Sequence, residues 1–147
     1  MRDLCHHLLS QDLVYVGGGS VISMLGVWRA HGLDDALREA WERGVVMCGL
    51  SAGSLCWFAE GITAFHGESR PVRGLGLLPC SNAVHYDKEP ARRPAYREAI
   101  AAGMAAGYAP TTAPPCTSSA PSWPEWSPRA RRRRPIAWSV PARRSSS

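Results

Sequence analysis

Two short apolar segments of this chain each run directly into glycines and then into a helical pattern. The first is "DLVYV" at 12–16, followed by three glycines at 17–19, and the second is "VVMCGL" at 45–50. Continuous apolar strands, in contrast to alternating ones, are typical of a parallel sheet that is covered on both faces. The order of strand, helix, strand and helix therefore predicts an α/β three-layer sandwich, with a mostly parallel sheet and helices on both faces.

The helical patterns have recognisable ends. Ser20 is a suitable N-cap for the helix "VISMLGVWRAHG", which ends at His31 and Gly32. A second helix is predicted over 33–44, with acidic residues in its first turn and a glycine at its end. A third is predicted over "AGSLCWFAEG" at 52–61, and another begins near Pro90. The segment between these last two helices indicates loops and short strands.

Composition excludes several classes of protein. The five cysteines form neither a CxxC motif nor a close Cys/His ligand group, so no metal is expected, and an odd count indicates reduced thiols and a cytoplasmic location. They are Cys5, Cys48, Cys56, Cys80 and Cys116. No segment has the apolar length of a membrane span or the core of a signal peptide, so no membrane partner is expected.

The net charge of +5 comes from the end of the chain. Residues 110–147 hold seven arginines and one acid, a charge of +6, so residues 1–109 sum to −1 and predict no nucleic-acid surface. The same 38 residues hold eight of the twelve prolines and indicate a disordered Pro/Arg/Ser-rich tail.

A second hypothesis for residues 110–147 is a displaced reading frame. Back-translation with G or C at third bases, read one base earlier, gives strand-like segments such as "ALHFVG" and "AYRVER".

The sequence Gly-Leu-Ser-Ala-Gly at 49–53 fits the nucleophile elbow G-x-S-x-G. A sharp turn from strand to helix requires small neighbours and lifts the Ser51 hydroxyl out of the sheet. The backbone N–H of Ala52 would then stabilise an oxyanion. The glycines at 17–19 end the preceding strand at the same sheet edge, so Gly18 could supply a second N–H, although a purely steric turn explains them as well.

A nucleophilic serine needs a base. His85 lies in "SNAVHYD", after an apolar segment and before a helix, where a catalytic loop is expected, and His66 is a weaker rival. His6 and His7 lie in a polar leader, and His31 ends a helix.

Three segments together resemble the peptidase E family. They are "VYVGGGS", "GLSAGSLCWF" and "GLGLLPCSNAVHYDKEPARRPAYREAI". These serine peptidases are related to cyanophycinase and share the fold of class I glutamine amidotransferases. The resemblance implies Ser51 as nucleophile, His85 as general base, and Gly18 with Ala52 at the oxyanion hole. It also implies hydrolysis of small aspartyl peptides such as Asp-X dipeptides, without metal or cofactor.

The chain departs from that family at the acid of the triad. Ala64, in "GITAFHG", falls where the family places an aspartate, and Glu68 or, second, Glu60 could substitute. A missing acid leaves the imidazole poorly oriented, so weak or absent activity is expected. Cations for the substrate's aspartate are sought at Arg70 and Arg73, and also at Arg92.

The family's first strands should precede "DLVYV", and its last strands should follow residue 109. The chain is therefore divided into a leader remnant at 1–11, a partial peptidase E-like α/β domain at 12–109, and the tail at 110–147. The expected partner is a small peptide, with a homodimer left open. Two other functions stay open: an esterase or amidase that uses the same elbow, and an inactive fragment whose basic tail binds acidic partners or RNA.

Overall fold

The computed structural model of the chain describes residues 2–110, which form five helices and six strands. The interpretations of the tail, including the displaced frame, lie outside these residues. In chain order the elements are α1 Arg2–Leu9, β1 Leu13–Val16, α2 Val21–Ala30, α3 Leu33–Glu42, β2 Val46–Gly49, α4 Ala52–Leu55, β3 Phe58–Phe65, β4 Glu68–Arg73, β5 Leu78–Asn82, α5 Arg92–Ala101 and β6 Gly107–Tyr108.

The strands form two sheets. Strands β1 and β2 pair in parallel, with Leu13 opposite Val46, and the second sheet has the order β4-β3-β5-β6. In that second sheet β3 pairs in parallel with β5 and β5 with β6, while β3 and β4 form an antiparallel hairpin. Helix α4 contacts β1, β2 and β3 and so lies between the two sheets. The prediction of an α/β fold with mostly parallel strands is confirmed.

The first half of the fold follows its local sequence signals. The Ser20 side chain accepts a hydrogen bond from the Ser23 N–H at the start of α2, as expected of an N-cap. Helix α3 carries Asp34 and Asp35 in its first turn and buries Leu37 on its inner face. Residues 2–9 of the expected leader form α1, which packs on α3 and places Leu8 in the same hydrophobic core.

The predicted helix over 52–61 is wrong beyond Leu55. Helix α4 has only four residues, and strand β3 begins at Phe58. Strand β3 pairs with β4 on one side and β5 on the other, so these ladder hydrogen bonds outweigh the local preference for helix. The hairpin turns at His66 and Gly67, whose φ angles of 50° and 84° suit a two-residue turn that matches the twist of the strands.

One face of the β1–β2 sheet carries exposed apolar side chains. Leu13 is 52% exposed, Tyr15 is 61% exposed and Val46 is 49% exposed. Because Leu13 and Val46 are register partners and side chains alternate along a strand, all three side chains lie on the same face. We call these three residues the open face. Among the helices of residues 2–110, none has the length and apolar character needed to cross a bilayer.

Candidate active site

Ser51 lies at the bend where β2 becomes α4. Strand β2 ends at Gly49, α4 begins at Ala52, and Ser51 has a φ of 55° and a ψ of −113°. A residue other than glycine rarely adopts a positive φ. Where the surrounding structure enforces one, the backbone strain costs of order 1–3 kcal/mol. The hydroxyl therefore lies at a sharp, strained turn, which is the backbone shape predicted for a nucleophile elbow.

The two glycines that flank Ser51 are required by close backbone approach. A Cβ on Gly49 would overlap the carbonyl group of Gly53. A Cβ on Gly53 would overlap the carbonyl oxygen of Val16 at the end of β1. The motif therefore has a direct steric cause, because any side chain at either position would push α4 away from the sheet.

His85 contacts the serine. Its Nε2 lies 2.8 Å from Ser51 Oγ, within hydrogen-bond distance. His85 follows β5 in a tight turn with a φ of 58°, and its carbonyl oxygen accepts the N–H groups of Lys88 and Glu89. The nucleophile and the base predicted from the sequence are therefore in contact, and both have unusual backbone angles.

The two predicted oxyanion donors also lie at this turn. Ala52 is the first residue of α4, where backbone N–H groups lack partners within the helix. A Cβ on Gly18 would lie 3.5 Å from the Cβ of Ser51, so the glycine loop after β1 runs directly beside the serine. Both N–H groups are near enough to Ser51 to be candidates for binding an oxyanion.

A cavity of about 140 Å³ opens at Ser51. Its walls come from the glycine loop, the elbow, β3 and the segment from His85 into α5. The lining residues are Gly19, Ser51, Ala52, Leu55, Thr63, Ala64, Val84, His85, Glu89 and Arg92. A cavity of about 150 Å³ holds a molecule the size of benzene, so this one fits a single short side chain.

The predicted acids are distributed unevenly around this cavity. Ala64, at the position where an acid was expected, is one of the lining residues, as is His85. Glu68 is exposed at the start of β4 and is not one of the lining residues. The Glu60 carboxylate accepts the Ala105 N–H at 3.1 Å, which gives it a structural role. The carboxylate that does line the cavity is that of Glu89, which the sequence analysis missed.

Of the three arginine candidates, Arg92 lines the cavity. Arg70 and Arg73 lie on β4, are exposed, and are not lining residues. Arg92 is 2% exposed, donates to the Ile62 carbonyl oxygen, and forms an ion pair with Glu89. Its Nε has no hydrogen-bond partner within residues 2–110. The spacing of three residues between Glu89 and Arg92 was the signal that could have identified the pair.

Cys56 follows the elbow, and its thiol donates to the Gly53 carbonyl oxygen at 3.3 Å. It is fully buried, and burial raises the pKa of its thiol to about 12. A thiol with that pKa stays protonated at neutral pH and is a poor nucleophile. His66, the rival base, lies in the exposed turn between β3 and β4, outside the lining of the cavity. No cluster of His, Cys, Asp or Glu within residues 2–110 is suited to hold a metal ion.

Comparison with known proteins places these observations in a family. The model of peptidase family S51 matches residues 1–109. A protein of Bacillus subtilis (strain 168), named uncharacterized peptidase YgaJ, is 46% identical over 91 residues. That match covers 62% of this chain and 40% of the relative, so the chain spans less than half the length of this curated relative.

Proposed function

The chain belongs to peptidase family S51, and we propose that it is a serine-type peptidase that hydrolyses small aspartyl peptides, such as Asp-X dipeptides. The fold is accordingly of the class I glutamine amidotransferase-like type. The observation that carries the proposal is the 2.8 Å contact between Ser51 Oγ and His85 Nε2 at a serine with positive φ. A strained serine beside an imidazole is the arrangement that nucleophilic acyl transfer requires.

In the proposed mechanism Ser51 Oγ attacks the peptide carbonyl and His85 Nε2 accepts the hydroxyl proton. The N–H groups of Ala52 and Gly18 stabilise the charge that develops on the carbonyl oxygen. His85 then donates the proton to the departing amine, leaving an acyl group on Ser51. A water molecule, deprotonated by His85, attacks this ester, and His85 returns the proton to Ser51 Oγ as the acid is released. No cofactor or metal takes part in this scheme.

Arg92 is the proposed binding group for the substrate's acidic side chain. It supplies a buried positive charge on the wall of the cavity that holds Ser51 and His85, whereas Arg70 and Arg73 lie on the exposed hairpin. Guanidinium binds carboxylate through paired hydrogen bonds, and the buried Nε of Arg92 has no hydrogen-bond partner within residues 2–110. The small volume of the cavity favours a short acid such as aspartate over a larger side chain.

The acid that orients His85 is the weakest element of this site. Glu68 was predicted for that role from the sequence, but it is exposed at the hairpin end and does not line the cavity. In a serine triad, loss of the acid lowers kcat by about 10⁴-fold. We therefore expect slow turnover, for which activated esters would be better substrates than peptides, because an ester expels a more stable leaving group.

A fluorophosphonate probe tests the nucleophile directly. We expect the full chain to be labelled at Ser51, and Ser51→Ala to remain unlabelled at equal protein concentration. His85→Ala should slow labelling by at least about 100-fold, the usual contribution of a general base. Label at another serine, or equal labelling of Ser51→Ala, would overturn the proposal. Rates on Asp-X dipeptides and on p-nitrophenyl esters then separate a peptidase from an esterase.

We also propose that the chain acts in the cytoplasm. The four cysteines within residues 2–110 are free thiols, which suits a reducing compartment. Fractionation of cells that express a tagged chain would test this, since recovery from the medium or an extracytoplasmic fraction contradicts it.

A further inference from the structure

The contact between Ser51 and His85 depends on the spacing of two separate elements. Ser51 directly precedes α4, a helix of four residues, and His85 follows the end of β5 after two intervening residues. Both have a positive φ, and strained backbone of this kind persists only where the surrounding structure enforces it. A shift of α4 relative to β5 would separate the nucleophile from the base, so a contact between these elements is needed to hold their spacing.

A side-chain hydrogen bond joins α4 to β5. Asn82 Nδ2, at the end of β5, donates to Ser54 Oγ on α4 at 3.2 Å. The Ser54 N–H in turn donates to the Ser51 carbonyl oxygen at 3.0 Å, so this bond reaches the nucleophile through a single helical turn. Ser54 lies three residues after Ser51, and Asn82 lies three residues before His85. The Asn82–Ser54 and Ser51–His85 contacts therefore close a ring that includes the nucleophile and the base.

The backbone of Asn82 is fixed by strands on both sides. Asn82 is the register partner of Gly61 on β3 and of Tyr108 on β6. A Cβ on Gly61 would overlap the Asn82 carbonyl oxygen, so β3 and β5 approach closely at this position. Because β5 is held from both sides here, the Asn82 amide is a firm anchor for the much shorter α4.

The burial of Asn82 indicates a role other than stability. Its side chain is 2% exposed, and its Oδ1 has no hydrogen-bond partner within residues 2–110. An unpaired buried oxygen destabilises a fold, whereas an apolar group of the same shape can be neutral or stabilising. Stability alone would therefore favour leucine at this position. The amide group is better explained by the contact that it makes with α4.

We propose that Asn82 is a positioning residue, which holds α4 and β5 through Ser54 at the spacing that keeps Ser51 Oγ in contact with His85 Nε2. The inference rests on the proposed function, since it assumes that Ser51 is the nucleophile and His85 its base. Asn82 is not among the residues that line the cavity, so it acts on the reaction only through Ser54. Its loss should therefore slow attack without weakening binding, because a displacement of about 1 Å can cost about 100-fold in rate.

Labelling by a fluorophosphonate at several probe concentrations separates rate from binding. It gives the maximal rate constant for labelling of Ser51 and the probe concentration that produces half of that rate. In the full chain, Asn82→Leu and Ser54→Ala should each lower the maximal rate constant by about 10- to 100-fold. The half-maximal concentration should stay within about twofold in both variants. Ser54→Thr, which keeps the hydroxyl, should retain the wild-type rate constant.

A double variant and a matched control assign the effect to this bond. The variant with both Asn82→Leu and Ser54→Ala should be no slower than the slower single variant, because both substitutions remove the same contact. Ser81→Ala is the control, since Ser81 is a buried neighbour on β5 whose hydroxyl contacts Tyr96 Oη and donates to the Ala105 carbonyl oxygen. It should lower the midpoint of thermal unfolding and leave the rate constant within about twofold. Asn82→Leu should show the opposite, a slower rate with an unchanged or higher midpoint.

The possible failures can be told apart. Labelling of Asn82→Leu at the wild-type rate, or effects of the two substitutions that multiply in the double variant, would overturn the inference and leave the proposed hydrolase intact. A fall in the thermal midpoint of Asn82→Leu as large as that of Ser81→Ala would show a structural role and would also contradict the inference. A wild-type chain that takes no label at Ser51 would overturn both proposals.

Discussion

Replacing Ala64 by aspartate should convert a slow serine site into a faster one. Ala64 lies on β3 and lines the cavity, as does His85. A carboxylate introduced at position 64 would therefore border the same cavity as the imidazole. Ala64 is exposed and lies opposite Ser69 in the hairpin, so the new charge remains hydrated and has no acidic cross-strand neighbour. The substitution should therefore be tolerated, at a cost of up to about 1 kcal/mol for an aspartate in a strand.

The expected gain is bounded by what an acid contributes to such a site. Removal of the triad aspartate lowers kcat by about 10⁴-fold, and an introduced group will be less well placed. We expect Ala64→Asp to raise kcat by about 10²- to 10³-fold, equivalent to about 3–4 kcal/mol of transition-state stabilisation. The KM for acidic substrates should rise at the same time, because the new carboxylate repels them.

Ala64→Asn is the matched control, since it has the size of aspartate without its charge. The assay is kcat on Asp-p-nitroanilide, with the labelling rate of Ser51 by fluorophosphonate as a second readout. An aspartate variant that is folded, as judged by circular dichroism, and yet no faster than the asparagine variant would refute the reasoning that a carboxylate at position 64 can orient His85.

Four further predictions follow from particular contacts. Gly53→Ala should lower stability by about 3 kcal/mol or more and abolish Ser51 labelling, because its Cβ overlaps the Val16 carbonyl. Gly26→Ala, inside α2 with no atom within 4 Å of its Cβ, is the control and should raise the free energy of unfolding by up to about 1 kcal/mol. Glu68→Gln should change kcat by less than about twofold, and a loss above tenfold would restore Glu68 as the triad acid. Burial raises the folded-state pKa of Cys56 to about 12, so its thiol stabilises the fold below pH 9, and this contribution falls as pH rises from 9 to 12, by at most about 1.4 kcal/mol per pH unit. The free energy of unfolding of Cys56→Ala, measured with denaturant, should therefore decline less steeply over this pH range. An unchanged decline would contradict the shift. The open face supports a proposed homodimer, so light scattering should show a dimer for the full chain and a monomer for Tyr15→Asp. Val27→Asp is the control: Val27 is an exposed apolar residue on α2, outside the open face, and its replacement should leave the dimer intact.

The sequence predicted those parts of the fold whose signals are local. Ser20 caps α2 with its own side chain, and Gly49 and Gly53 are needed by backbone contacts within the motif that contains them. The contact between Ser51 and His85 spans 34 positions, and it was predicted from the family resemblance together with the loop position of His85. Local patterns alone favoured His85 over His66 but did not show that its imidazole contacts Ser51.

The parts that were missed depend on pairing between distant segments. Strand β3 exists because β4 and β5 lie on either side of it, and no periodicity within "FAEGITAF" outweighs the helical pattern that precedes it. Thr63 and Ala64, further along β3, line the cavity. Glu68, which is near Ala64 in sequence, is carried away from the cavity by the turn at His66 and Gly67. Proximity in sequence was therefore a poor guide to the acid.

The segment from His85 to Arg92 links catalysis to specificity in one short stretch of chain. His85 has a positive φ, and its carbonyl oxygen accepts the N–H of Glu89, whose own carbonyl oxygen accepts the N–H of Arg92. Two successive turns thus fix the base and the proposed carboxylate-binding group of Arg92 relative to one another. Arg92 is anchored in turn to the Ile62 carbonyl oxygen on β3, so the segment cannot shift without breaking a buried hydrogen bond. A substrate whose carboxylate engages Arg92 would therefore be positioned relative to His85 by these same turns, which ties binding of the acidic side chain to attack by Ser51.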